Sequence, residues 1–473
     1  MKFTKTHLLL SSLMFAAAGA ATAATINVPA DQATIQAAVN AAAATGDTII
    51  VAAGTYIGTI DINNKSLTLK GASPASRPVI VLNSQLTLGT TNGGVIIHGD
   101  GTTVTVQDLI FLPATTGLTG KAMVTNNNTA GATLTVNLTN LLFAPNNGSN
   151  VALITSPFDD SAIASGRWPG DVLYLINRNF VGLQNGVGIY NLQDVTVIGS
   201  GRDGIVCYPN GVGSSLTGGG IAVARAARNG IQWGDDNGQH ADFTLTGTRA
   251  RPSLLLRKNT ETTAGSGVDT TGINASRNVI IDHMVSISHG ATNNTVGFNV
   301  GVGTSTSVTI TDSLFAGSAT GLTLSVQTTP VASTVSVRNN TFFQNPTNIS
   351  VTEPNGTYTI KDNVFAGAGT GVALTGVGTG VKTTLNNNAF VAAGANALTL
   401  ATSGEAPAAN TGVVTADPQY ASTSLATLAG LATAFDVVNG AYFTASSTSG
   451  PLNGWGDGPA SGPTAADHWT MYN

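Results

Sequence analysis

Four octets decide how this chain folds: VTITDSLF at 308–315, VSVRNNTF at 335–342, YTIKDNVF at 358–365 and TTLNNNAF at 383–390. Each alternates apolar or β-branched residues with polar ones, passes through Asp or Asn and a second polar residue, and ends on Phe. Alternation with a period of two marks a strand with one buried face. The phenylalanines Phe315, Phe342, Phe365 and Phe390 are 27, 23 and 25 residues apart. A repeat of about 25 residues fits one turn of a three-faced parallel β-helix, whose coils stack about 4.8 Å apart. Every residue then lies over its counterpart one coil earlier. The expectation is an inward column of stacked Phe and Val, with turn asparagines hydrogen-bonded from coil to coil.

Looser octets come earlier: VTVQDLIF ending at Phe111, VNLTNLLF at Phe143 and LYLINRNF at Phe180, with spacings of 32 and 37 that imply longer loops. A leucine-rich repeat would carry a Leu/Asn signature that is missing here, and a propeller blade needs about 40 residues. A sandwich of this length would split into several domains, yet no Pro-rich or charge-rich linker marks a split.

Charged residues make up 9% of the 473, and 57 residues are Gly. An ordinary soluble domain carries about 25% charge. The hydrophobic fraction of 42% argues against disorder. A net charge of -5 argues against nucleic acid as a partner. At the N-terminus Lys2 and Lys5 precede an apolar run from Leu8 to Ala18, followed by Ala21-Thr22-Ala23. This layout reads as a signal peptide over 1–23, so the expected location is secreted or at the cell surface. The run falls short of the roughly 18 apolar residues of a membrane span. The single cysteine, Cys207, cannot form an internal disulfide and is expected to be a buried apolar residue in register with Ile205.

An open solenoid exposes its end layers, so it needs caps. In ATIQAAVNAAAATG, residues Ile35, Ala38, Val39 and Ala42 share one helical face, and Gly46 is suited to end the helix. The segment TIQAAVNAAAATGDTIIVAAGTY, followed by INNKSLTLKG, resembles the opening of pectinesterases and of the wider pectin-lyase-like superfamily, over about residues 25–72. RDGI at 202–205 and RNGI at 228–231 resemble the coil signature of that superfamily's bacterial repeat proteins. ADPQY at 416–420 with GPLNGWGD at 450–457 is similar to their closing segment. The resemblance implies an all-β, right-handed parallel β-helix. The expected domains are a cap at 24–46, the β-helix at 47–415 and a closing segment at 416–473.

The family's catalytic motifs do not follow. The Gln-Asp-Thr-Leu, Asp-Phe-Ile-Phe-Gly and Leu-Gly-Arg-Pro-Trp segments of pectinesterases are absent, and Gln107-Asp108 belongs to a structural octet. Asp235-Asp236 and His289-Gly290 resemble part of a polygalacturonase site, but Ser288 replaces its first Gly and no Arg-x-Lys follows. Arg249, Arg251 and Arg257 could supply a lyase base, but no lyase motif surrounds them. Residues 159–283 hold 21 of the 43 charges. This charge cluster gives the candidate carbohydrate-binding residues Arg202, Asp203, Arg228, Trp233, Asp235, Asp236, His240 and Asp242. Trp233 is a candidate stacking platform. Arg202 and Arg228, one coil apart, offer forks for carboxylate or sulfate groups, with Asp235 and Asp236 placed to neutralise them in a purely structural alternative. DDNGQHAD lacks the spacing of an EF-hand, so neither metal nor cofactor is expected. His283 and His289 flank the VSIS strand and read as turn residues. The expected function is a non-catalytic surface or matrix protein that contacts polysaccharide, with possible self-association. The alternative is a lyase or glycoside hydrolase acting on an acidic glycan.

Overall fold

A computed structural model of the chain describes residues 23–126, 129, 131–146, 167–176, 186–208, 211–234, 241–248, 252–258, 265–269, 278–289, 294–302, 307–326, 333–352, 356–366, 370–374, 382–386, 388–391, 398–400 and 408–411. Residues 1–22 of the segment read as signal peptide and the whole closing segment, together with Phe180, Asp235, Asp236, His240, Arg249 and Arg251, lie outside them.

The chain is a right-handed parallel β-helix. Each coil contributes strands to three faces. Face 1 carries strands such as Ser66–Gly71, Ser214–Gly219 and Ser307–Thr311, and face 2 carries Val79–Leu82, Ala222–Ala224 and Leu314–Ala316. These two faces form one continuous sheet, and a second sheet, face 3, carries strands such as Lys121–Asn126, Leu173–Ile176, Ile205–Tyr208 and Ile231–Trp233. Pairing between coils is parallel, apart from the strand Leu86–Leu88, which runs antiparallel to Thr91–His98. Such crossovers are right-handed because a right-twisted strand packs back on its sheet only that way.

The octets sit at the bend between faces 1 and 2. Their fifth position holds a left-handed residue in coil after coil: Asp108, Asn140, Asp194, His283, Asp312, Asn339 and Asp362, with φ between 50° and 58°. Asp and Asn tolerate this conformation better than other non-glycine residues. Gly220 fills the position in one coil, with φ of 57°, and a Cβ there would meet Asp194 Oδ1 at 2.5 Å. The sixth position forms the asparagine ladder. The amide N–H of Ser313 donates to Asn340 Oδ1, that of Asn340 to Asn363 Oδ1, and that of Asn363 to Asn388 Oδ1, at 3.0–3.1 Å. These asparagines are fully enclosed, and their Nδ2 groups donate to backbone carbonyls such as Ile310 O and Val337 O.

The eighth position is the aromatic column. Phe315, Phe342 and Phe365 are buried and stack at centroid separations of 5.0 and 5.3 Å, close to the coil rise, and the Phe390 backbone continues the register. Phe111 and Phe143 stack likewise at 4.9 Å. The third early octet departs from the expectation: Leu173–Ile176 belongs to face 3, and Phe143 pairs with Val197. From there the column runs through Val197, Val223, Leu255 and Ser286 before Phe returns at 315. Large side chains occupy the interior elsewhere along this stretch. Trp168 meets the edge of Phe143 at 6.2 Å and Trp233 packs on Phe243 at 5.2 Å.

At the N-terminal end the helix Ile35–Ala41 lies against the first coil, burying Ile35, Ala38 and Val39, and Ala42 beyond it is also buried. Thr34 caps it by accepting from the Ala37 amide. Gly46 does not end this helix. The C-cap is Ala42, and Gly46 forms a bulge in the strand Thr45–Val51. Among the described residues no helix is long and apolar enough to cross a membrane.

The outward side of face 1 carries a rail of neutral polar residues in register, interrupted by the exposed Ile280: Thr48, Thr68, Thr105, Asn137, Asn191, Thr217, Thr244, then Thr309, Ser336, Thr359 and Thr384. Part of it is zipped by side chains, Asn191 Nδ2 donating to Asn137 Oδ1 at 2.8 Å and Asn137 Nδ2 to Thr105 Oγ1 at 3.2 Å.

Candidate functional site

The candidate site lies at the start of face 3, where four coils bring their first strand residues together. Leu173, Ile205 and Ile231 are register partners, so Asp171, Asp203 and Asn229, two residues before each, occupy equivalent places. Met123 pairs with Leu173, which puts Lys121 in the same column. The Arg of each RDGI or RNGI unit therefore stands beside the acidic residue of the coil before.

The geometry makes a charged ladder. Arg202 Nε and Nη2 donate to Asp171 Oδ1 and Oδ2 at 2.7 and 2.8 Å, while the Asp203 amide donates to Asp171 Oδ1 at 3.2 Å. One coil on, Arg228 Nε donates to Asp203 Oδ1 at 2.8 Å, Nη2 donates to Asp203 Oδ2, and the Asn229 amide donates to Asp203 Oδ1 at 2.9 Å. Arg202 Nε also lies 3.5 Å from Asp203 Oδ2, so it touches both carboxylates. Asn229 ends the series by donating Nδ2 to Gln232 Oε1 at 2.5 Å. The carboxylates are at most 2% exposed, whereas the Arg202 and Arg228 side chains keep 49% and 35% of their surface.

Electrostatics follow from that burial. Burial raises the Asp171 carboxyl above the usual range, and the neighbouring Arg202 only partly offsets it. Burial holds the Lys121 ammonium below its ordinary value, with Asp171 opposing. Two tyrosines border the ladder. Lys121 Nζ lies 4.4 Å from the Tyr174 ring centroid, and Tyr174 meets Tyr208 edge-on at 6.1 Å. Burial is the main reason the Tyr208 hydroxyl is pushed up to about 12. Beside them, Ile96, Val124, Ile176 and Val206 form an apolar cluster separate from the main core.

The structure thus separates the sequence candidates. Arg202, Asp203 and Arg228 come together, and among the described residues Asp171 and Asp203 balance the arginines, while Asp235, Asp236 and His240 lie outside the described residues. Trp233 points inward, is 0% exposed and offers no ring to a ligand. Asp242 is on face 1, exposed, accepting from Asn278 N and Nδ2 at 2.9 and 3.1 Å, away from the ladder. Cys207 is fully buried in the interior, with its thiol pushed well up by burial. Sequence reasoning missed Lys121, Asp171, Tyr174 and Tyr208. Asp171 sits in the run GDVL, two residues before an inward Leu, and this offset matches Asp203 before Ile205. That shared offset was the available signal.

No family model matches this chain, and neither does any curated protein. Among solved structures, the A-module of the Azotobacter vinelandii mannuronan C-5 epimerase AlgE6 is similar, at 14% identity over 81% of this chain and 95% of that one, with a TM-score of 0.48.

Proposed function

We propose that this is an exported, non-catalytic parallel β-helix of the pectin-lyase-like superfamily that contacts acidic polysaccharide through the charged ladder on face 3. One observation carries the reading. Both carboxylates in the cluster are consumed by bidentate arginines, while the guanidinium groups remain partly exposed beside Lys121 and Tyr208. An arginine that gives two N–H bonds to one carboxylate keeps further donors for another. Asp171 and Asp203 flank a shared arginine, and general acid–base work needs a carboxyl within reach of substrate. The cluster is therefore suited to holding anionic groups and poorly suited to cleaving a bond. The alternative is a lyase, with an arginine as base and the ladder as its charge-neutralising neighbour.

The test is retention of the purified chain on pectate, alginate and a neutral glucan at low and high salt, with an assay for unsaturated products. The expected result is weak, salt-sensitive binding to the acidic glycans and no product. Lys121→Gln, outside the bidentate pairs, and the double variant Arg202→Gln with Arg228→Gln should each reduce retention several-fold. Equal retention of all three proteins on every glycan removes the proposal, and product formation transfers the chain to the lyase reading.

A further inference from the structure

We propose that Asp282, His283 and Asp312 form a divalent-metal site that clamps two adjacent coils at the bend between faces 1 and 2. The ladder of left-handed bend residues is Asp or Asn at most positions, and His283 and Gly220 depart from that pattern, His283 alone of the two bringing a metal-binding side chain. Register places Asp312 directly over His283 and Thr311 over Asp282, so one coil supplies an imidazole and a carboxylate and the next supplies a second carboxylate. One ligand atom from each of the three lies within 4.8 Å of the other two. His283 is 7% exposed, and Nδ1 is 2.9 Å from Asp282 Oδ1, which also accepts from Thr311 Oγ1 at 3.0 Å.

The donors converge from two coils around a buried imidazole and are chemically matched to a metal. One imidazole and two carboxylates suit zinc and its first-row neighbours, whereas calcium selects oxygen ligands alone. Donors around a tetrahedral zinc sit roughly 3.4 Å apart, given bonds of about 2.0–2.2 Å. Asp282 is one-third exposed, which leaves an entry path. The site lies away from the face 3 ladder and does not depend on the carbohydrate reading.

The experiment is calorimetric titration of the metal-stripped full chain with zinc, manganese and calcium chlorides, paired with thermal unfolding in each. Wild type should bind one zinc ion saturably and unfold at a higher temperature with it. His283→Asn and Asp312→Asn keep residues that tolerate the left-handed bend. Each should retain the wild-type circular dichroism spectrum and weaken zinc binding at least 10-fold, and cobalt(II) should give a visible absorption band in wild type alone. Absence of saturable zinc binding, or equal zinc affinity in both variants, would overturn the site. Tighter binding of calcium than of zinc would overturn the assigned metal class.

Discussion

The central coils and the C-terminal coils solve the same problem in different ways. Both must lock each coil to the next at a bend where strand pairing lapses. The C-terminal coils use Asn340, Asn363 and Asn388, neutral and wholly buried, each accepting an amide proton from the coil before. The central coils use Asp171 and Asp203, each accepting an amide proton from the coil after and neutralised by an arginine from that same later coil. The polarity is opposite and so is the exposure. A neutral ladder can sit in the interior without a counter-ion, whereas a charged ladder must reach the surface through long side chains. Only the second kind leaves charge where a ligand can meet it.

That contrast predicts unequal costs. Asn363→Ala removes the acceptor for the Asn340 amide and the donor to Val337 O and Lys361 O, leaving buried groups with no water to turn to. At about 1–3 kcal/mol per unsatisfied group it should lower stability by about 4 kcal/mol in urea unfolding, comparable to Phe342→Ala at about 3–5 kcal/mol. Asp203→Ala should cost less, about 2–3 kcal/mol, because the freed Arg228 can swing into solvent and the Asn229 amide is the main group stranded. If Asp203→Ala proves costlier than Asn363→Ala, burial is not what distinguishes the ladders. The Asp203→Ala deficit should also shrink in high salt while that of Asn363→Ala stays constant.

The smallest effect is in pH. Asp171, raised by burial, binds protons more readily folded than unfolded, so its contribution is fullest below the ordinary carboxylate range and falls as pH rises through its folded value. Asp282, lowered, contributes above the ordinary range and loses that contribution as the solution is acidified. Unfolding midpoints for wild type, Asp171→Asn and Asp282→Asn across pH 3–7 should therefore diverge in opposite directions. Parallel curves would break the assignment of charge state to the two regions.

How legible this was depended on spacing. From Phe315 onward the coils are nearly equal in length, so Phe-to-Phe distances alone gave the register and the stack. Between Phe143 and Phe315 the interior column changes to Val197, Val223, Leu255 and Ser286, and an octet search has no aromatic marker to follow. LYLI consequently looked like an octet although it lies on another face. Local pattern also could not separate the fifth position, which bends the backbone, from the sixth, which makes the ladder, because Asn suits both. Pairing between Arg202 and Asp171 spans 31 residues and is set by coil length, which a motif such as RDGI does not encode. Trp233 failed as a candidate because period-two alternation puts it in phase with the inward Ile231, and its neighbours in sequence concealed that.

The charged ladder also behaves like a short polymer grown head to tail. Arg and the backbone N–H reach back, and the carboxylate is offered forward, so the Arg202-Asp203 unit has unlike ends that fit each other. Asp171, preceded by Gly170, is the initiator. Arg228-Asn229 is the end group, since its amide Nδ2 turns aside to Gln232. A unit of this kind sets no limit on its own length, as with any heterologous contact. A gene duplication copying the 26 residues 203–228 in tandem would therefore insert a coil whose two ends already match their new neighbours, and the neutral Asn229, which offers no carboxylate forward, is where the series stops.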